Sequence, residues 1–154
     1  MGESVDFKKI DCCRISDSRS LVKILDLGNQ PLANSLKNNA HNGEVLFPLT
    51  ISYCPDSSLL QLNETVSKKN LFDHYVWVTG TSAIARNYAE IFANRVIEIA
   101  DLDKEDFVVE IASNDGTFLK PFLKKGYLKI LGVDPAKNVA ETANKQGIRT
   151  LSDF

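Results

Sequence analysis

The 154-residue sequence has little of what marks the more easily read protein classes. Cysteine is scarce: Cys12, Cys13 and Cys54 make an odd count with two neighbours in sequence, which excludes a dense disulfide scaffold. No apolar run approaches the roughly 20 residues of a membrane-spanning helix, and residues 1–14 are charged where a secretory signal would turn apolar. Basic residues never run beyond the doublets Lys68-Lys69 and Lys124-Lys125. With 18 basic against 20 acidic side chains the formal charge is −2, so there is no electrostatic footprint for nucleic acid or an anionic membrane. What remains is 44% hydrophobic and 25% charged, an ordinary globular composition for one domain or two small ones. A cytoplasmic protein working on small molecules is the expectation.

The pattern changes twice along the chain. Residues 1–65 read as a small β-rich unit, with strand candidates at 21–27 (closed by Gly28), 45–54 and 59–62, a polar turn at 38–43, and no sustained helical period. Its apolar inventory is thin, and domains this small usually lean on a metal, a disulfide or a neighbour. Residues 66–100 form a connector carrying Phe72, Tyr75 and Trp77, followed by a packing helix over 83–100, capped by Thr81 or Ser82. Its apolar face is Ile84, Tyr88, Ile91, Phe92 and Ile99. Residues 101–154 alternate: strand 107–111, helix 117–125, strand 127–133, helix 136–146 and a third strand from 148. That order makes the fold class α/β, with the β-rich unit followed by the first half of a doubly wound, Rossmann-like sheet.

Chemistry concentrates where the first parallel strand meets its helix. The small residues of Ala112-Ser113-Asn114-Asp115-Gly116 let a ligand approach the backbone at a helix N-terminus. Asp134 stands 18 positions after Gly116 at the tip of the next strand, near the offset at which an acid hydrogen-bonds ribose hydroxyls. Only Gly116 remains of a G-x-G-x-x-G fingerprint, so a pyrophosphate has no cradle and NAD is disfavoured. A ligand with a ribose and an amino-acid tail fits, as in S-adenosylmethionine: Glu110 would face its ammonium and the amides of 113–116 its carboxylate. The plainer alternatives are a solvated strand-end carboxylate for Glu110 and a turn acid before Pro135 for Asp134.

The runs Val109-Glu110-Ile111-Ala112-Ser113-Asn114-Asp115-Gly116-Thr117 and Leu131-Gly132-Val133-Asp134-Pro135 resemble the class I S-adenosylmethionine-dependent methyltransferases that C-methylate nucleotide-linked deoxysugars. Upstream, Asp26-Leu27-Gly28-Asn29-Gln30-Pro31-Leu32-Ala33-Asn34-Ser35 and Tyr75-Val76-Trp77-Val78-Thr79-Gly80 are similar to the same family. The resemblance implies that Glu110, Ala112, Ser113, Asn114, Gly116 and Asp134 line the cofactor pocket and that Tyr75 and Trp77 lie near the sugar. An alternative for the two aromatics is that they seal the seam between units. The implied reaction removes a proton beside a keto group, and the enolate then takes the methyl; His74 and Tyr75 are the only nearby candidates for a base.

Two departures limit the likeness. The family's N-terminal unit usually carries zinc on C-x-x-C … C-x-x-C, whereas Cys13-x-x-Ser16 and Cys54-x-x-Ser57 keep only the first cysteine of each pair. A serine hydroxyl does not ionise near neutral pH, so stoichiometric zinc is not expected, and the spacing of Cys12, His41 and His74 does not bring them into the shell. Cys13 and Cys54 are instead expected as buried neighbours hydrogen-bonded to Ser16 and Ser57, or as a disulfide after oxidation. The second departure is length, since such a sheet has about seven strands and this chain reaches a third. The expectation is a piece of a methyltransferase that is not competent alone, whose first strand leaves an open edge for a protein partner or self-association. The alternative is a non-catalytic binding or assembly module derived from such an enzyme.

Overall fold

The structure, a computed structural model, describes residues 7–36 and 43–154. Residues 38–42 of the expected polar turn, His41 among them, lie outside the described residues. The chain divides into two compact units, Met1–Leu71 and Phe72–Phe154. The boundary falls inside the stretch read from sequence as one connector, and the long helix groups with the second unit.

In the first unit β1 (Phe7–Lys9) pairs antiparallel with β5 (Glu64–Val66). A second antiparallel sheet has the order β2 (Val22–Pro31), β3 (Leu46–Cys54), β4 (Leu59–Leu62). The first of these strands does not close at Gly28, as expected, but runs on to Pro31. Register shifts between Lys23 and Leu25 and between Asp26 and Asn29 absorb Gly28, whose φ is +67°, and a proline at the strand's last residue forfeits little pairing. A short helix, α1 (Lys68–Phe72), follows.

The thin apolar inventory of this unit is offset by satisfied polar groups. Buried Glu64 accepts hydrogen bonds from the amide and the hydroxyl of Thr50, all at 3.0 Å. Gln61 accepts from the Arg14 amide at 3.0 Å and donates to the Cys12 carbonyl at 3.0 Å. Asn63 donates to the Ser52 hydroxyl at 2.8 Å, while its own Oδ1 is buried without a partner. Away from bulk water such bonds strengthen, and losing one partner strands the other.

The second unit begins with a 3₁₀ turn (Thr79–Thr81) and α2 (Ala83–Ile99). Ser82 caps the helix, its hydroxyl accepting from the Ala85 amide at 3.2 Å. The face expected to pack does so only in part. Ala89 and Ala93 are the helix's buried residues, while Ile84, Ile91 and Ile99 are 83%, 63% and 73% exposed. Tyr88 and Phe92 of the expected face meet the Phe118 ring edge to face, with centroids 6.0 and 5.5 Å apart, and Val96 and Ile97 pack against the core.

Three parallel strands follow in the order β6 (Val108–Ile111), β7 (Ile130–Val133), β8 (Thr150–Leu151). They are connected through α3 (Lys120–Lys124) and α4 (Lys137–Lys145). The first of these helices is shorter than the 117–125 expected. Gly116 to Leu119 form turns, and Pro121, lacking an N–H, sits in the first helical turn where no donor is missed. The middle strand starts at Ile130 rather than 127, because the Tyr127 side chain enters the core and donates its hydroxyl to the Leu102 carbonyl at 3.1 Å. Ala93, Leu119, Phe122, Tyr127, Ile130 and Ile148 make that core. Among the described residues β6 pairs only with β7, so its other edge is free, and Val109 and Ile111 are exposed. No helix among the described residues is long and apolar enough to cross a membrane.

Candidate functional site

At the carboxyl end of β6 the chain turns sharply. Ala112, Asn114 and Gly116 have φ of 59°, 50° and 73°. Left-handed backbone costs little at glycine, is tolerated by asparagine and is strained at alanine, so this loop is held by its surroundings rather than by local preference. The holding bonds are visible. The Ser113 amide donates to the Val133 carbonyl at 3.1 Å, the Gly116 amide to the Ser113 carbonyl at 2.9 Å, and the Asn114 amide to Asp134 Oδ2 at 2.8 Å. Buried Asp134 takes the Ala136 amide on Oδ1 at 2.9 Å. The acid therefore ties one strand-to-helix loop to the next, with one amide on each oxygen and a second lone pair left on each.

Two buried atoms of this loop region are without partners: Glu110 Oε2 and Ser113 Oγ. Burial, then the charges of Asp115 and Asp134, push the Glu110 carboxyl up from 4.5 to about 7. Asp115 is itself buried, accepts from the Thr117 hydroxyl at 2.6 Å and lies 3.6 Å from Lys120 Nζ. The loop thus gathers three carboxylates around unspent acceptor capacity, an arrangement that favours a cation or hydroxyl-rich ligand.

The segment 75–80 is strapped to this loop by backbone contacts. Asn138 accepts from the Tyr75 amide at 3.0 Å and donates to the Tyr75 carbonyl at 2.7 Å. Asn114 accepts from the Thr79 amide at 2.9 Å and donates to the Trp77 carbonyl at 3.0 Å. Gly80 closes the strap: a Cβ there would collide with the Asp115 carboxylate and lie 2.8 Å from Thr117 Oγ1. The side chains of Tyr75 and Trp77 are left half-buried and 57% exposed, and His74 is exposed. Sequence reasoning placed Glu110, Ala112, Ser113, Asn114, Gly116 and Asp134 in one neighbourhood and missed Asn138, Asp115 and Gly80. An asparagine in the first turn of a helix carries no pattern; only the partner 63 residues away gives it a role.

In the first unit, the two half-motifs converge. Cys13 Sγ lies 3.1 Å from Ser57 Oγ, and Cys54 Sγ lies 3.8 Å from Ser16 Oγ. The Ile15 and Ser16 amides point at Cys13 Sγ, each at 3.5 Å. Both cysteines are fully buried, and all three cysteines are free thiols. The hydroxyls of Ser16 and Ser57, then those amides, lower the Cys13 thiol from 9.0 to about 6.

Residues 13–72 match a family model described as "Putative zinc binding domain". Over 146 residues, 94% of this chain, the sequence is 32% identical to the C-methyltransferase NovU of Streptomyces niveus. Both matches point to a C-methyltransferase-related family. It spans 34% of that relative's length. The family model begins at Cys13, the first residue of the thiol–hydroxyl cluster, so the cluster can be compared with a structural zinc shell. It supplies two sulfurs and two hydroxyls, and among the described residues no group of three or more His, Cys, Asp or Glu could hold a metal ion. The donors do not fit the closed four-ligand shell of structural zinc.

Proposed function

We propose that the chain supplies cofactor-binding residues of an S-adenosylmethionine-dependent C-methyltransferase acting on a nucleotide-linked sugar. In this reading the three parallel strands are the opening half of a Rossmann-like methyltransferase sheet. The observation that carries it is the pair of buried, unpartnered atoms Glu110 Oε2 and Ser113 Oγ at the end of β6, beside a loop whose left-handed residues are held from outside. Buried polar atoms are rarely left unpaired, so two neighbouring exceptions call for a missing partner such as a ligand or an ordered water.

S-adenosylmethionine, when bound, supplies a methyl group on a sulfonium. The residues do the rest. Glu110 offers a carboxylate to the ligand's ammonium and releases its own proton from the carboxyl as the cation arrives. Asp134 offers the free lone pairs of Oδ1 and Oδ2 to ribose hydroxyls while keeping its amide partners. Ala112, exposed at the turn, keeps side-chain bulk away from the backbone, whereas Gly116 is small because a Cβ there would meet Ile148 of the core at 2.7 Å; Asn114 fixes the strap on which Tyr75 and Trp77 face the sugar. His74 and Tyr75 are the candidates for taking the proton from the sugar carbon. Three free thiols suit a reducing cytoplasm.

Calorimetry with S-adenosylhomocysteine tests the reading. Micromolar binding is expected, weakened at least tenfold by Asp134→Asn, with Trp77 fluorescence melts confirming that the variant is folded. A folded protein that does not bind, or a variant with unaltered affinity, refutes it.

A second reading is that the chain is a non-catalytic binding or assembly module, with a protein partner or a second copy pairing along β6. It is favoured by one observation: the free edge of that strand, with Val109 and Ile111 46% and 74% exposed. A defined oligomer by size exclusion, without ligand binding, would select it.

A further inference from the structure

The two turns of the thiol–hydroxyl cluster are built alike. Each begins with a cysteine, places a serine three residues on, and has a left-handed residue next: Asp17 with φ 56° and Ser58 with φ 57°. Each closes by pairing its cysteine with the residue five positions later. The Cys13 amide donates to the Ser18 carbonyl at 2.7 Å, and Cys54 pairs with Leu59 at the end of the β3–β4 ladder. In both, backbone turns present the cysteine and the serine toward a common centre.

The contacts across that centre run crosswise. Ser57 of the second turn meets Cys13 of the first, and Ser16 of the first meets Cys54 of the second, at 3.1 and 3.8 Å. A Zn–S bond of about 2.3 Å sets the edge of a tetrahedral shell at about 3.8 Å. The two edges Cys13–Ser57 and Ser16–Cys54 are therefore no longer than the edge of a metal shell, and each is a direct thiol–hydroxyl contact. A serine hydroxyl can donate to sulfur whether that sulfur is a thiol or a thiolate, so each cysteine has a partner across the centre without an ion.

We propose that Cys13, Ser16, Cys54 and Ser57 form a metal-free brace, in which two thiol–hydroxyl contacts take the place of structural zinc and the first unit folds without it. The brace joins turns 13–18 and 54–59, which no strand ladder joins directly. Nearby, the Ser18 hydroxyl donates to Asp56 and adds a third contact between the same two turns. The inference rests on the first unit alone and is independent of any cofactor bound at β6.

The test uses the full chain expressed in zinc-replete medium. Elemental analysis is expected to find well under one zinc per chain, and a strong chelator is expected to leave hydrogen-exchange protection of the amides in 13–18 and 54–59 unchanged. The double variant Ser16→Cys/Ser57→Cys is expected to gain a site: one zinc per chain, thiolate-to-metal charge-transfer absorption on titration with cobalt(II), and protection of the two turns that now falls on chelation. A full equivalent of zinc in the unaltered protein, lost together with protection on chelation, overturns the proposal. So does a folded double variant that takes up neither metal, since the four side chains then do not converge. If the double variant does not fold, Ser57→Ala decides: faster exchange in both turns, with zinc present, is expected, and unchanged exchange overturns the brace.

Discussion

Replacing Glu110 by glutamine should stabilise the second unit at alkaline pH and leave it unchanged in acid. Below about pH 4.5 the carboxyl is protonated in both the native and the unfolded chain, so burial costs no charge. Between 4.5 and about 7 the unfolded chain releases the proton and the native one keeps it, so native stability falls as pH rises through this window and the loss is complete above about 7. At about 1.4 kcal/mol per pH unit the gap amounts to roughly 3 kcal/mol, reduced to about 2 because solvent reaches part of the group. Glutamine keeps the shape and does not titrate. The expected gain at pH 8 is therefore about 2 kcal/mol, or roughly 10 °C in Tm for a unit of this size, shrinking to nothing at pH 4.5. Trp77 is the chain's single tryptophan and lies in the second unit, so its fluorescence reports that unit's melting. Equal melting of the two proteins at pH 8, or a difference that does not change with pH, would refute the account of Glu110 as a buried acid held against its charge.

The same carboxyl gives the binding reaction a pH dependence. Affinity for S-adenosylhomocysteine, whose ammonium is positive, should rise up to tenfold per pH unit below about 7 and level off above it, whereas Glu110→Gln should bind more weakly with a flat profile; calorimetry at several pH values decides. Asn138→Ala should remove both bonds to Tyr75, costing about 1–2 kcal/mol, and hydrogen exchange should show the Tyr75 amide deprotected while Thr79, held by Asn114, is not. Equal protection of both amides would mean that the strap is not held at two points. Gly80→Ala should force a methyl against Asp115 and Thr117 and cost about 1–3 kcal/mol by thermal melting; a neutral variant would place Gly80 away from the loop.

Much of the architecture is legible in the sequence because it rests on local rules. The β-branched run at 108–111, the glycines and the Asp134-Pro135 turn specify strands and loops in an order that needs a parallel sheet. That serines, not cysteines, stand at 16 and 57 three residues after Cys13 and Cys54 can be read without any structure, and so can their failure to ionise, since ionisation is a property of the residue type. What eluded the reading are features set by distant partners. Asn138 has meaning only because it clasps Tyr75, and Ala112 adopts a left-handed backbone that its own side chain opposes.

The sequence by itself determined that small residues and carboxylates gather at the ends of two successive parallel strands, because a strand's length and its turn residues fix where it stops. Only the tertiary structure decided how those groups spend their bonds: Asp134 on two amides, Glu110 with an oxygen unpaired, Cys13 and Cys54 on each other's neighbouring serines. A hydrogen bond forms with whatever the fold brings within about 3 Å, and that proximity is a property of the packed chain rather than of any stretch of it.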